Sequence, residues 1–249
     1  RELIRSEMHD RLLGPAAPYN LRAANGVSCT TATVAAAALG LRDIGQLSDA
    51  QRQDIQRAHL LVAMFNAMQP GVFALSGWDL VGALTLPAES VKSLLADGDT
   101  RWINRGSFDL LGANPSAAKS SAELPRARTL YGTLLEQMEH PGSFAWELKK
   151  MLRARSAYRI NESEQIDIPT VKARGLVVMV HRLPEARGIQ VTALNFARTA
   201  VHETVTIKGA RANAEVGDLV EEKITGKVDG SGQLPLTLGP HEGRAFLIK

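Results

Sequence analysis

After Ala157 the sequence changes period, and no other feature constrains the fold as strongly. Apolar runs at Ile166/Ile168, Leu176 to Val180, Gln190 to Phe196, Val201 to Ile207, Asp218 to Lys223, Gln233 to Leu238 and Arg244 to Ile248 are short, with Gly, Pro, Asn and charged residues between them. Runs of this length at regular intervals read as strands joined by tight turns. Val201, Val205 and Ile207 show partial alternation, as in a two-layer antiparallel arrangement. Residues 158–249 are therefore expected to be an all-β domain, an antiparallel β-sandwich.

Before that boundary the helical period dominates. The first 14 residues predict a helix burying Leu3, Leu12 and Leu13, ended by Gly14-Pro15 and kept from resuming by Pro18. Asn25-Gly26 predicts a turn, and the Ala-rich stretch Cys29 to Leu39 a close-packed helix capped by Gly40. Ser48 is a good N-cap, and Asp49 suits the positive end of the helix dipole. Ile55, His59, Val62 and Phe65 then recur at near-helical spacing as far as Met68. No second His or carboxylate stands at metal-ligand spacing from His59, which reads as a packed or surface histidine. Arg126 to Glu139 predicts another helix, ended by His140-Pro141-Gly142, and Ser143 caps one running through Trp146, Leu148, Leu152 and Arg155.

Pro70-Gly71 stops the central helix, and Val72 to Leu75 follows as a short apolar run, expected to be a parallel strand buried on both faces. It leads into Gly77-Trp78-Asp79. A polar constellation at the carboxyl end of a buried strand is where α/β folds place their chemistry. From Gly77 to about Ser121 the chain is irregular, and long irregular segments are usually functional or disordered. Trp78, Trp102 and Phe108 argue for an ordered excursion over a pocket. This stretch offers carboxylates, an amide, a guanidinium and aromatic faces in Trp78, Asp79, Trp102, Asn104, Arg105 and Asp109, which read as candidate ligand-binding residues. The alternative reading is a salt bridge holding the loop, with the aromatics packed beneath it.

Bulk properties exclude several classes. The net charge is +3 and the pI near 9.1, but basic residues are scattered among acidic ones and aromatics are only 5%, unlike a nucleic-acid binder. The single cysteine, Cys29, rules out an intrachain disulfide and multi-Cys zinc patterns, and reads as a small buried residue in a reducing compartment. No apolar run approaches the roughly 20 residues that span a bilayer, so a soluble, cytoplasmic protein without a membrane partner is expected. The start at Arg1, without methionine, reads as that of a fragment or processed product.

Several segments resemble the α-amylase family, glycoside hydrolase family 13. Asp54 to Asp79 is similar to its last barrel helix, eighth strand and Gly-aromatic-Asp turn, and Leu130 to Tyr158 to its closing helices, ending in Leu152-Arg153-Ala154-Arg155-Ser156. Ala193-Leu194-Asn195-Phe196-Ala197 and Leu238 to Ile248 resemble strands of its C-terminal β-domain. Pro18 to Leu21, Asn25 to Val34 and Phe73 to Leu84 look like loop segments of trehalose-synthase-type glucosyltransferases, which interconvert maltose and trehalose.

The resemblance implies an α/β plus all-β chain. Residues 1–157 would be the C-terminal part of a catalytic (β/α)8 TIM barrel, with loop 7, helix 7, strand 8, long loop 8 and closing helices, and 158–249 the β-sandwich domain. It also implies a retaining mechanism through a covalent glucosyl-enzyme between two carboxyl groups. One of the family's motifs for these groups is Asn-His-Asp. His9-Asp10 is preceded by Met8 and stands mid-helix, so it does not match Asn-His-Asp. By segment order all the catalytic carboxylates should precede Arg1, and the chain alone should be inert. The expected partners are an α-linked disaccharide or maltooligosaccharide and the N-terminal remainder of the enzyme. No cofactor is expected in this chain, and any structural calcium would belong to that remainder. A long loop capping the pocket would keep water from the glucosyl-enzyme, which favours transfer over hydrolysis.

Two alternatives stay open. One is an α-glucan hydrolase or transferase of the same family. The other is a carbohydrate-binding β-sandwich module, for which residues 158–249 are poor material: they contain no Trp, and only Tyr158, Phe196 and Phe246 as aromatics. Packing, and subunit contacts in a homo-oligomer, are the roles expected of that domain.

Overall fold

The computed structural model describes residues 2–249, which fold as two compact units, neither of them continuous in sequence. One takes the chain up to His59 together with Leu75–Trp146, and the other takes Leu60–Ala74 and Glu147–Lys249. The whole is a mixed helix and sheet structure in which every sheet is antiparallel.

The first unit opens with helix α1 (Glu2–Leu12), which contains no buried residue. Leu3 is 74% exposed, and Leu12 and Leu13 are only half-buried, against expectation. The apolar line Ile4–Met8–Leu12 is one residue wide and flanked by charge, too narrow to bury a helix face. A hairpin of β1 (Leu21–Ala23) and β2 (Gly26–Ser28) follows, turning at Asn25 as expected. Helix α2 (Thr31–Ala38) starts at a capping box in which Thr30 and Thr33 satisfy each other's amides. Its alanines 32, 35 and 36 allow close packing against Leu47, Ile55 and Leu84. Cys29, just ahead of it, is half-buried. Burial raises the pKa of its thiol. Helix α3 (Asp49–Ala67) begins at the expected Ser48, which exchanges hydrogen bonds with Gln51.

The strand expected at Val72 to Leu75 does not form. Residues 72–76 enter no ladder, and Val72 is 96% exposed. A strand needs a partner for its amides and carbonyls, and among the described residues none lies alongside. Helix α4 (Gly77–Leu80) follows at once. The irregular stretch beyond it is ordered around its own cluster of Val81, Ala83, Leu86, Val91, Ile103 and Ala127. The helix expected from Arg126 starts eight residues late, as α5 (Leu134–Glu139). Residues 125–129 make isolated bridges to Ala83, Ser107 and Lys119 instead, and the capping box of Thr133 and Glu136 sets the true start. Helix α6 (Phe144–Ala157) is capped by Ser143, as expected.

The second unit holds β3 (Glu164–Asp167), β4 (Leu176–Arg182), β5 (Ile189–Asn195), β6 (Val201–Thr206), β7 (Glu215–Asp218), β8 (Lys223–Lys227), β9 (Gln233–Leu238) and β10 (Gly243–Ile248). Six strands pair in the order β3-β4-β5-β10-β7-β8, and β6 pairs with β9. The strand expected at 218–223 is a turn between β7 and β8, because Asp218 Oδ1 accepts the amides of Val220 and Glu221, both at 2.9 Å. Alternation on β9 sends Leu234, Leu236 and Leu238 inward to meet Val178, Val180, Val191, Phe246 and Ile248 of the larger sheet.

The other face of that sheet packs Met179, Leu194 and Leu247 against Leu61, Met64, Met68 and Met151. Gly243 permits this contact: a Cβ there would fall 2.7 Å from Met64 Sδ and 2.8 Å from Leu194 Cδ2. The end of α3 is satisfied by the buried Arg155, whose guanidinium donates to the carbonyls of Ala67, Gln69 and Gly71. Among the described residues no helix is long and apolar enough to cross a membrane.

Candidate functional site

The turn that opens α4 is built around Asp79. Ser76 is extended (φ −81°, ψ 148°), and its amide donates to Asp79 Oδ2 at 3.2 Å. The residue three positions beyond an N-cap commonly reaches back in this way. Asp79 is 7% exposed, and its Oδ1 lies 3.5 Å from Nε2 of the fully buried His59. Neither atom has a hydrogen-bond partner among the described residues.

His59 Nδ1 is 3.0 Å from the Tyr131 hydroxyl. Phe144 covers both rings, 4.4 Å from His59 and stacked on Tyr131 at 5.0 Å between centroids. Gly82, at φ +60°, backs Tyr131 so closely that a Cβ would come within 2.6 Å of the phenol ring. The carboxylate facing Nε2 favours the tautomer with its proton there, leaving Nδ1 to accept from Tyr131. Burial, and then the charge of Asp79, raise the Tyr131 pKa, which keeps the phenol protonated for that bond. The outcome is a buried carboxylate facing an imidazole at 3.5 Å, with the imidazole hydrogen-bonded to a phenol: Asp79, His59 and Tyr131.

Trp102 and Asn104 lie on the 3-10 turn Thr100–Asn104, which Asp99 caps by accepting the Arg101 amide at 3.0 Å. The Arg101 guanidinium, bonded at 2.7 and 2.9 Å, holds the Asp99 carboxyl down at about 2. Arg105 lies over the Trp102 ring with its Cζ 4.4 Å from the centroid, and its Nη2 is 3.7 Å from Asp99 Oδ2. Asn104 Oδ1 is buried without a hydrogen-bond partner among the described residues.

Asp109 turns into its own loop, accepting the amides of Ala113 at 3.0 Å and Asn114 at 2.8 Å. Desolvation works to raise its pKa, but these amides, that of Gly112 and the Arg126 charge outweigh it and hold the carboxyl below its usual range. Trp78, Trp102 and Phe108 pack on one apolar cluster. The structure therefore gathers Trp78, Trp102 and the guanidinium of Arg105 on one cluster. It commits the Asp109 carboxylate to its own loop and that of Asp79 to a buried histidine.

Sequence reasoning passed over Tyr131 and Phe144, which lie 72 residues and more from His59 along the chain. The available signal was His59 itself, a polar residue in the apolar row of α3. Such a position asks for a buried partner.

No protein-family profile matches the chain, and neither does any curated protein. Solved structures do. The chain is similar to Eubacterium rectale Amy13B, with a TM-score of 0.56 at 12% identity over 89% of this chain and 37% of that one. Similar too are the trehalulose synthase MutB from Pseudomonas mesoacidophila (TM-score 0.56, 12% identity, 78% and 38% covered) and an isomaltulose synthase variant from Erwinia rhapontici in complex with D-glucose (0.55, 11%, 78% and 38%). The chain thus spans under two fifths of each of these proteins. At these identities the likeness is one of fold, shared with amylase-family structures.

Proposed function

We propose that this chain is the C-terminal part of an α-amylase-family enzyme that transfers an α-glucosyl group, converting maltose to trehalose through a covalent glucosyl-enzyme. Residues 1–157 would complete a (β/α)8 barrel, and 158–249 would form a β-sandwich domain. The observation that carries this reading is the fold likeness, over most of the chain, to Amy13B and to two proteins named as synthases of isomaltulose and trehalulose. The trehalose-synthase-like segments around Tyr19 and Trp78 give it its substrate.

No catalytic carboxylate is assigned to this chain; its part is to shape the sugar pocket. Trp78 and Trp102 supply faces for the apolar side of a pyranose, and Arg105 and Asn104 supply polar groups for its hydroxyls. Asp79 acts by holding the Trp78 turn through Ser76 and His59, and Asp109 by closing its own loop. Incubating the intact enzyme that carries this chain with maltose tests the proposal. Trehalose should appear faster than glucose. Faster glucose release would make it a hydrolase of the same family, and no turnover of any α-glucoside would end the reading.

A further inference from the structure

The first compact unit contains a cavity of about 640 Å³ whose wall includes none of Trp78, Asp79, Trp102, Asn104, Arg105 or Asp109. Its volume lies within the range of small-molecule sites. The floor is apolar: Leu84 and Leu86 are each 3% exposed, and Ile103 is 1% exposed. The Tyr19 side chain lines one side, pinned by its hydroxyl donating to Leu41 O at 2.7 Å. Thr85 Oγ1 fixes the same residue by donating to Tyr19 O at 2.7 Å.

The charge on this wall is unbalanced. Arg42, Arg126 and Arg128 line it, against the single carboxylate of Asp43, which already accepts the Gly45 amide at 2.7 Å. Arg126 Nη1 donates to the carbonyls of Asn114, Pro115 and Ala117 at 2.9, 2.8 and 3.2 Å. Arg128 Nη1 donates to Ile44 O at 2.7 Å and to Gly45 O. Carbonyls position a guanidinium without cancelling its charge. Among the described residues no carboxylate pairs with Arg42 or Arg128, and Arg126 is felt only at longer range by Asp109. Both anchored arginines bond through one terminal nitrogen, so the edge made by Nε and Nη2 remains for a ligand. That edge matches the bidentate geometry of a phosphate, and anchoring lowers the ordering cost of binding.

We infer that this cavity binds a sugar phosphate, with the pyranose on Tyr19 and the apolar floor and the phosphate monoester among Arg42, Arg126 and Arg128. This goes beyond the proposed maltose reaction, whose sugars are neutral, and stands without it. Titration calorimetry on the 249-residue chain with glucose 6-phosphate, inorganic phosphate and maltose tests it. Glucose 6-phosphate should bind at least about tenfold more tightly than either other probe, since it alone engages both halves of the site.

Arg128→Ala and Arg42→Ala should each weaken that binding about tenfold, the loss expected for one charge-assisted contact. The Arg42 side chain makes no hydrogen bond or ion pair among the described residues, so its replacement leaves the fold intact and keeps the test sharp if the anchored arginines prove structural. Maltose binding as tightly as the ester, inorganic phosphate binding as tightly as the ester, an Arg42→Ala chain with unchanged affinity, or no heat of binding up to about 10 mM would each overturn the proposal.

Discussion

His181 lies on β4 with its side chain fully buried and neither ring nitrogen hydrogen-bonded among the described residues. Its cross-strand neighbours are Gln165 and Gln190, and neither carries charge. Burial without a partner penalises the imidazolium and pulls the pKa from 6.5 down to about 4. The sign follows from proton linkage. Between pH 6.5 and about 4 the unfolded chain binds a proton that the folded chain refuses, so stability falls as the medium is acidified through that window. The contribution is full above pH 6.5 and gone below about pH 4.

A shift of this size corresponds to about 3 kcal/mol, and nearer 2 kcal/mol if water penetrates to the ring on opening. His181→Leu removes the titration while keeping an apolar side chain of similar bulk. Urea unfolding of both proteins, followed by circular dichroism from pH 7.5 to 4, isolates the effect from carboxylates that titrate in both. The stability of the wild type relative to the variant should drop by about 2–3 kcal/mol across the series. A difference constant to within about 0.5 kcal/mol would refute the reasoning, because it would mean that the imidazole finds solvent or a partner in the folded state.

Three further outcomes can be checked by thermal or denaturant unfolding. Arg155→Met leaves the carbonyls of Ala67, Gln69 and Gly71 without their donor and should cost about 2–4 kcal/mol, with Arg155→Lys recovering only part, since an ammonium cannot span all three. Gly243→Ala drives a methyl into Met64 and Leu194 and should destabilise by about 1–3 kcal/mol. Tyr131→Phe removes the hydrogen bond between its hydroxyl and His59 Nδ1 and should cost about 1–2 kcal/mol; an unchanged midpoint would mean that the contact of Tyr131 with His59 contributes nothing to the turn.

How much of this was legible in the sequence depended on how local the cause was. Ser48, Ser143 and Gly40 act within one helical turn, and the helix ends they imply are where the structure has them. Strands of the second unit were legible where alternation and turn residues agreed, as on β9 with Leu234, Leu236 and Leu238 facing inward. Asp218 shows the limit. Its carboxylate folds the chain back through two amides, and a window averaged over hydrophobicity reads straight across that turn. Arg126 to Thr133 has helical composition but is drawn into bridges with Ala83 and Ser107, a tertiary pull that propensity does not contain.

The stretch from Val72 to Asp79 shows how far a local pattern reaches. Its apolar run and the Gly-Trp-Asp that follows mark a strand end in an α/β sheet, yet a strand is a relation between two segments, and one segment cannot display it. What fixes Asp79 is instead a local amide from Ser76 and a distant histidine from α3. The same residue would contact a sugar if its carboxylate were open to solvent; at 7% exposure it faces His59. Substituting it then separates two effects. Asp79→Asn keeps the shape and the bond from Ser76 but withdraws the charge opposite His59 Nε2. A carboxylate that binds sugar directly predicts weaker maltose binding by the intact enzyme with an unchanged fold. A carboxylate that holds the turn predicts lower thermal stability and an altered environment for Trp78, read from its fluorescence, whether or not sugar is present.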